Sequence, residues 1–280
     1  MGKNGVIKIK FNARLVMVIT VILICIAAIN LSVYFTYIDK GSTNPETEEI
    51  ATIDTVELSE NFQNIFDNTL DTQSSNISTN KINQDKPLVD TRYKKQDKKD
   101  QVYEININIP YININHQVAN TINQEISTIF YNKVDSIIAQ TSPVQIIYNV
   151  DYKAYINDNI LSLVIKSTLK EGNNAQRLMI QTYNYNISSN ERMDINKVLE
   201  ARSLNSKAVQ KRITDTITKA ASTASAYKEL GYDKYLRNKD DAIYKIENTT
   251  TFFLGEEKSL YIIYAYGNKN FTSEFDLVVI

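Results

Sequence analysis

The chain has 280 residues, 31 Lys and Arg against 32 Asp and Glu, and a formal net charge of −1. That balance favours no polyanionic partner and sets nucleic acid aside. One cysteine, Cys25, and one histidine, His116, exclude an internal disulfide and leave little for a zinc site. No metal or other cofactor is expected.

Residues 15–38 carry no charge and are closed by Arg14 and Asp39. As a helix they would rise about 36 Å, enough to cross a bilayer core of roughly 30 Å with some tilt. Tyr34, Phe35 and Tyr37 cluster at the far end, where an interfacial aromatic belt sits. Lys3, Lys8, Lys10 and Arg14 precede the span without an acid, which predicts a cytoplasmic N-terminus. A cleaved signal peptide is the rival reading, but 30–38 is bulky and offers no clear small-residue cleavage site. A lipoprotein would need a small residue before Cys25, where Ile24 stands.

Residues 39–100 are polar, with thirteen acids and eight bases, and read as a flexible extracytoplasmic stalk. Val56, Phe62, Ile65, Phe66 and Leu70 could mark one short helical face within it. A basic run over 92–99 closes the stalk as a solvated linker end, or as a contact with anionic wall polymer or lipid headgroups.

From Gln101 the pattern changes. Tyr103, Ile105, Ile107 and Ile109 alternate with polar residues, predicting a strand that Pro110 ends. Val118, Ile122, Ile126, Ile129, Phe130, Val134, Ile137 and Ile138 recur at helical spacing. Three strands follow over 144–156, 161–169 and 177–187, with turns at Asn157-Asp158 and Glu171–Asn174, as an antiparallel meander. Residues 193–221 predict a helix and 227–236 a shorter one. Strands return over 242–254, 258–266 and 271–280. The fold class is α+β, helices packed on an antiparallel β-sheet, preceded by a transmembrane helix and a stalk. The organisation is 1–14 cytoplasmic, 15–38 transmembrane anchor, 39–100 stalk and 101–280 ectodomain, in a single-pass protein of the cell membrane.

The strand ending at Ile109-Pro110, the helix with Ile122-Asn123 and Ile126, and the turn at Glu171-Gly172 form a pattern. Tyr183–Asn186 before Met193-Asp194, Thr251–Leu254 and Tyr261–Gly267 extend it. Over 101–280 it resembles a bacterial extracytoplasmic domain of unknown function shared by anti-sigma-V factors and the front half of certain peptidoglycan deacetylases. The resemblance implies a tethered ectodomain facing the wall and, from the anti-sigma-V side, binding of lysozyme. Two departures stand out. Fourteen residues precede the span, too few for a sigma-binding segment, and no deacetylase domain follows before Ile280.

Chemistry is sparse. His116 stands at a strand–helix junction, and Asp151, Asp158, Glu171 and Asp276 are the acids a carboxylate mechanism would draw on. No catalytic residue is assigned. Fifteen of the 18 tyrosines follow residue 100, either as sheet packing or as a sugar-stacking or protein-binding face. Asp240, Asp241, Glu247, Glu256 and Glu257, with Tyr261, Tyr264 and Tyr266, are the candidate partner-binding residues. The expected function is a membrane-tethered recognition module at the envelope, its partner lysozyme or another wall-associated protein, or peptidoglycan. The alternatives are a wall carbohydrate hydrolase or deacetylase with an unrecognised carboxylate site, and a structural envelope protein.

Overall fold

The computed structural model describes residues 87–141, 144–267 and 273–280. The expected anchor over 15–38 and the stretch 56–70 lie outside these residues. Among the described residues no helix is long and apolar enough to cross a membrane.

Strand β1 (Val89–Lys99) turns through Gln101 and pairs antiparallel with β2 (Tyr103–Ile112). The expected stalk therefore does not reach residue 100, because its basic end is a strand of the domain. Charge hides the alternation there. Tyr93 packs on the core, Lys95 lies 3.3 Å from Asp97, and Asp97 accepts the Tyr103 hydroxyl at 3.1 Å. The outward positions Lys94, Gln96 and Lys98 are exposed.

Strand β2 also runs through Pro110 instead of ending there. Pro110 pairs with Thr91, and the next pair is Tyr93 with Ile109, so Arg92 is the extra residue of a bulge. A missing N–H is tolerated where the ladder is already interrupted. The buried positions shift with it: Ile105, Ile107 and Ile109 alternate, and then Pro110 and Ile112 are buried while Tyr111 is half-exposed.

The predicted helix is present as α1 (Gln117–Ile126), a π-helical turn (Ser127–Tyr131) and α2 (Asn132–Ile138). His116 caps α1, accepting the Val118 N–H at 3.3 Å. Buried Asn123 accepts the Ile112 N–H at 2.8 Å and donates to the Ile112 carbonyl at 2.9 Å, fixing α1 to the end of β2. The helix returns the chain to β3 (Ile146–Asn157), which pairs with β2 in parallel. The large sheet is thus not wholly antiparallel.

Strands β3, β4 (Ile160–Glu171) and β5 (Arg177–Asn186) form the predicted meander, and two-residue β6 (Glu191–Arg192) completes a six-stranded sheet in sequence order. The predicted helix over 193–221 is two helices, α3 (Ile195–Ala201) and α4 (Ser206–Glu229). Ser203 at φ 54° interrupts them. Asp194 caps the first through the Lys197 N–H, and Asn205 caps the second through the N–H groups of Lys207 and Ala208. The short helix expected over 227–236 is instead the end of α4 followed by irregular chain. Residues 242–254 contain two 3₁₀ turns and only three residues of strand, β7 (Phe252–Leu254). It joins β8 (Leu260–Ala265) and β9 (Phe275–Val279) in a second antiparallel sheet.

Four layers result. Ile105, Ile107, Tyr148, Leu163 and Tyr183 on one face of the large sheet pack on Ile122, Ile126 and Phe130 of the first helix. Val164, Leu178 and Ile180 on the opposite face pack on Phe253, Tyr261 and Ile263 of the small sheet. The outer face of that sheet packs Ile262 and Val278 on Val209, Ile213 and Ile217 of α4. Strand β4 is buried on both sides over 160–165, which explains its unbroken Ile-Leu-Ser-Leu-Val-Ile run.

The seam between the sheets includes polar contacts. The Ser162 hydroxyl lies 2.6 Å from Asn184 Oδ1 and accepts the Leu254 N–H at 3.1 Å. Asn184 donates to the Phe252 carbonyl at 2.7 Å, and Thr182 Oγ1 accepts the Phe252 N–H at 3.0 Å. Asn157 donates to the Leu254 and Gly255 carbonyls at 3.2 and 3.1 Å. At the far end of β8, a side chain on Gly267 would collide with the Leu178 backbone, so only glycine allows that approach.

Two outcomes follow. Removing 87–100 strips Leu88 and Val89 from the core and should lower stability by roughly 3–6 kcal/mol, at about 1.5–3 kcal/mol per buried side chain. Urea unfolding of the shortened and full chains measures this, and equal midpoints would mean that β1 is dispensable. Asn184→Leu should cost about 1–3 kcal/mol despite its apolar replacement, because it leaves the Phe252 carbonyl unsatisfied. A neutral effect in the same assay would discount the polar seam.

Candidate functional site

The three tyrosines expected to anchor a partner belong to the interior. Tyr261, Tyr264 and Tyr266 are 2%, 8% and 7% exposed. Tyr261 stacks on Phe253 at 4.6 Å, and Tyr264 meets Tyr244 edge-on at 4.9 Å. Burial pushes the Tyr261 and Tyr264 hydroxyls up to about 12. They do not stand out as exposed anchors: Tyr261 faces the large sheet, and Tyr264 and Tyr266 pack on the α4 side, where their remaining surface lines a cleft beside Ala242 and Thr249.

The five acids do not form one surface either. Glu256 and Glu257 are exposed in the turn between β7 and β8, whereas Asp240 and Asp241 precede the 3₁₀ turn that begins at Ala242. That second turn lies near Tyr266, at the opposite end of the hairpin. Asp240 pairs with Lys239 at 2.8 Å, and this lysine holds its carboxyl below the usual range. Asp241 accepts from the Asn238 amide at 2.9 Å. Glu247 is exposed in the second 3₁₀ turn, and residues 227–247 carry five acids and five bases.

What organises this region is a buried cation that the sequence reading missed. Arg237 Nε and Nη2 grip Asp276 at 2.9 and 3.1 Å, and Nη1 reaches Glu274 at 3.0 Å. All three side chains are at least nine-tenths buried. Tyr266 donates to Asp276 at 2.8 Å, which leaves Tyr244 to donate to Tyr266 at 2.7 Å. Tyr235 stacks on Tyr266 at 4.3 Å, and Lys234 approaches Glu274 at 3.8 Å. A bidentate contact to one carboxylate and further bonds to a second and to the Tyr235 carbonyl offset the desolvation of the guanidinium. It ties the irregular chain over 230–241 to β9.

The tied segment shows its apolar side chains to solvent. Leu230 is 74% exposed, Tyr232 60%, and Tyr227, Leu236 and Ile243 about half. Tyr227 and Tyr232 meet edge-on at 5.9 Å, with Lys234 5.8 Å from the Tyr227 ring. Clustered large apolar side chains on a fixed segment mark interaction surfaces. The available signal was the Leu-Gly-Tyr and Tyr-Leu runs after α4, which the helix reading absorbed.

The acids considered for catalysis are dispersed. Asp158 pairs with Lys258 at 2.9 Å, Glu171 with Arg177, and Asp276 with Arg237. Asp151 accepts from the Tyr152 N–H at 3.0 Å and the Asn108 amide at 3.3 Å, and burial raises its carboxyl. Among the described residues no group of three or more His, Cys, Asp or Glu could hold a metal.

The sequence matches no family model and no curated protein. Among the solved structures that the chain is similar to are two DUF3298 family proteins. One is a DUF3298 family protein from Pseudomonas aeruginosa PAO1, at 11% identity and TM-score 0.43, covering 69% of this chain and 90% of that one. The other is a DUF3298 family member from Bacteroides fragilis NCTC 9343, at 12% identity and TM-score 0.33, covering 64% and 79%.

The buried tyrosines predict an alkaline limit. Desolvation raises Tyr148, Tyr183, Tyr244, Tyr261 and Tyr264 from 10.0 to about 12. Their contribution is intact below pH 10 and is lost as pH rises toward 12, because only the unfolded chain ionises freely in that window. Unfolding should coincide with the rise of tyrosinate absorbance between those values. Titration of all tyrosines near pH 10 without unfolding would contradict their burial.

Proposed function

We propose that this chain is a membrane-tethered recognition module of the bacterial cell envelope that captures a wall-associated protein without chemical turnover. The observation that carries the reading is the run of exposed apolar side chains Leu230, Tyr232 and Leu236, between Tyr227 and Ile243 in sequence, on chain fixed by the end of α4 and by the buried Arg237 network. Exposed aromatic and aliphatic side chains on a pre-ordered segment lose little entropy on docking and suit a binding hot spot. The uncharged span at 15–38 supplies the tether. The family resemblance over 101–280 makes lysozyme the first partner to test. Asp240, Asp241 and Glu247 lie along the same stretch of chain and would steer a basic protein, while Glu256 and Glu257 lie elsewhere. The hydrolase or deacetylase alternative is not favoured, because the candidate acids are each engaged by a cation or an amide.

Calorimetry of the full chain in detergent micelles against lysozyme tests the reading. Saturable heat is expected, and L230S with Y232S should weaken binding at least about tenfold, as loss of one hot-spot residue does. Both positions are exposed, so circular dichroism should be unchanged. D240K with D241K should slow association more than it speeds dissociation. No heat at high micromolar lysozyme would discard that partner, and release of new ends from muropeptides would favour the enzyme.

A further inference from the structure

A groove of about 500 Å³ lies where β1 and β2 meet α1 and the π-helical turn, within the size range of small-ligand sites. Two backbone irregularities build it. On the strand side is the bulge at Arg92, and on the helix side the π-helical turn Ser127–Tyr131. Each defect sacrifices regular pairing, and each recurs where a protein re-aims side chains toward a ligand. Here both line the same groove.

Its chemistry is specific in what it holds and omits. Tyr93 and Tyr131 meet edge-on at 4.9 Å and are half-buried, leaving ring surface on the groove. Arg92 lies 4.8 Å above the Tyr111 ring, and among the described residues no carboxylate pairs with it. The side chains of Asn120, Gln124 and Ser127 are exposed and make no hydrogen bond among the described residues. The lining contains no Asp, Glu, His or Lys.

A purely apolar ligand would strip water from those amides without replacing it. A polyanion would meet a single guanidinium. Flat C–H surface for the rings, hydroxyl or acetamido groups for the amides, and one carboxylate for Arg92 would satisfy every group. We propose that this groove binds a saccharide unit bearing one carboxylate. The site is separate from the strip over 227–243 and does not depend on it.

The test is calorimetry of the full chain in detergent micelles with three probes: N-acetylmuramic acid, N-acetylglucosamine, which lacks the lactyl carboxylate, and sodium lactate. The acidic sugar should bind at least about tenfold tighter than the neutral one, as a charge-assisted contact provides. Lactate should give no saturable heat. R92Q should abolish the preference, and Q124A should weaken both sugars alike. Both residues are exposed, so circular dichroism of the variants should match the parent. No heat with either sugar, a preference that survives R92Q, or lactate binding as tightly as the acidic sugar would each overturn the assignment.

Discussion

Hydrogen bonds from side chains of the large sheet to the backbone of a three-residue strand hold this domain together. Strand β7 pairs with β8 along one edge. Along its free groups, Ser162, Thr182, Asn184 and Asn157 accept from or donate to Phe252, Leu254 and Gly255. Apolar faces alone would let two sheets slide. Here a one-residue slip would leave several buried backbone groups unsatisfied, at about 1–3 kcal/mol each. The positions of β8, β9 and α4 follow from that register.

The buried arginine extends the same arrangement outward. Arg237 joins a segment without regular structure to Asp276 and Glu274 beside the small sheet. Such a segment has few backbone bonds of its own, so its order depends on side chains. One consequence is an outer surface where Leu230 and Tyr232 face water from a fixed frame. The opposite outer layer differs in kind: α1 and β1–β2 leave a groove of tyrosines, amides and one guanidinium.

Much of the fold was legible as periodicity. The alternation of Tyr103 to Ile109, the helical spacing of Val118 to Ile138 and the meander over 146–186 all appear in the structure. What periodicity could not carry was pairing between distant strands. Nothing local announces that β2 and β3 are parallel, or that 252–280 forms a separate sheet. Strand β1 was obscured because Lys95 and Asp97 satisfy each other on the inward face, so polar composition resembled a linker. The tyrosines misled for a related reason. Tyr261 and Tyr264 sit on a strand covered on both faces, with Tyr266 just past its end, and alternation gives an inside and an outside only when one face meets solvent. The site residues that matter most, Arg237 and its two acids, are 37 and 39 positions apart in sequence.

Among the described residues strand β1 ends the large sheet, and its outer edge pairs with none of them. An eleven-residue open edge is a template for another chain's strand. The exposed lysines at 94, 98 and 99, with the kink at Arg92, make that template repulsive to a copy of itself. Like charge along an edge opposes its pairing with a second copy, and neutralising those lysines removes that repulsion.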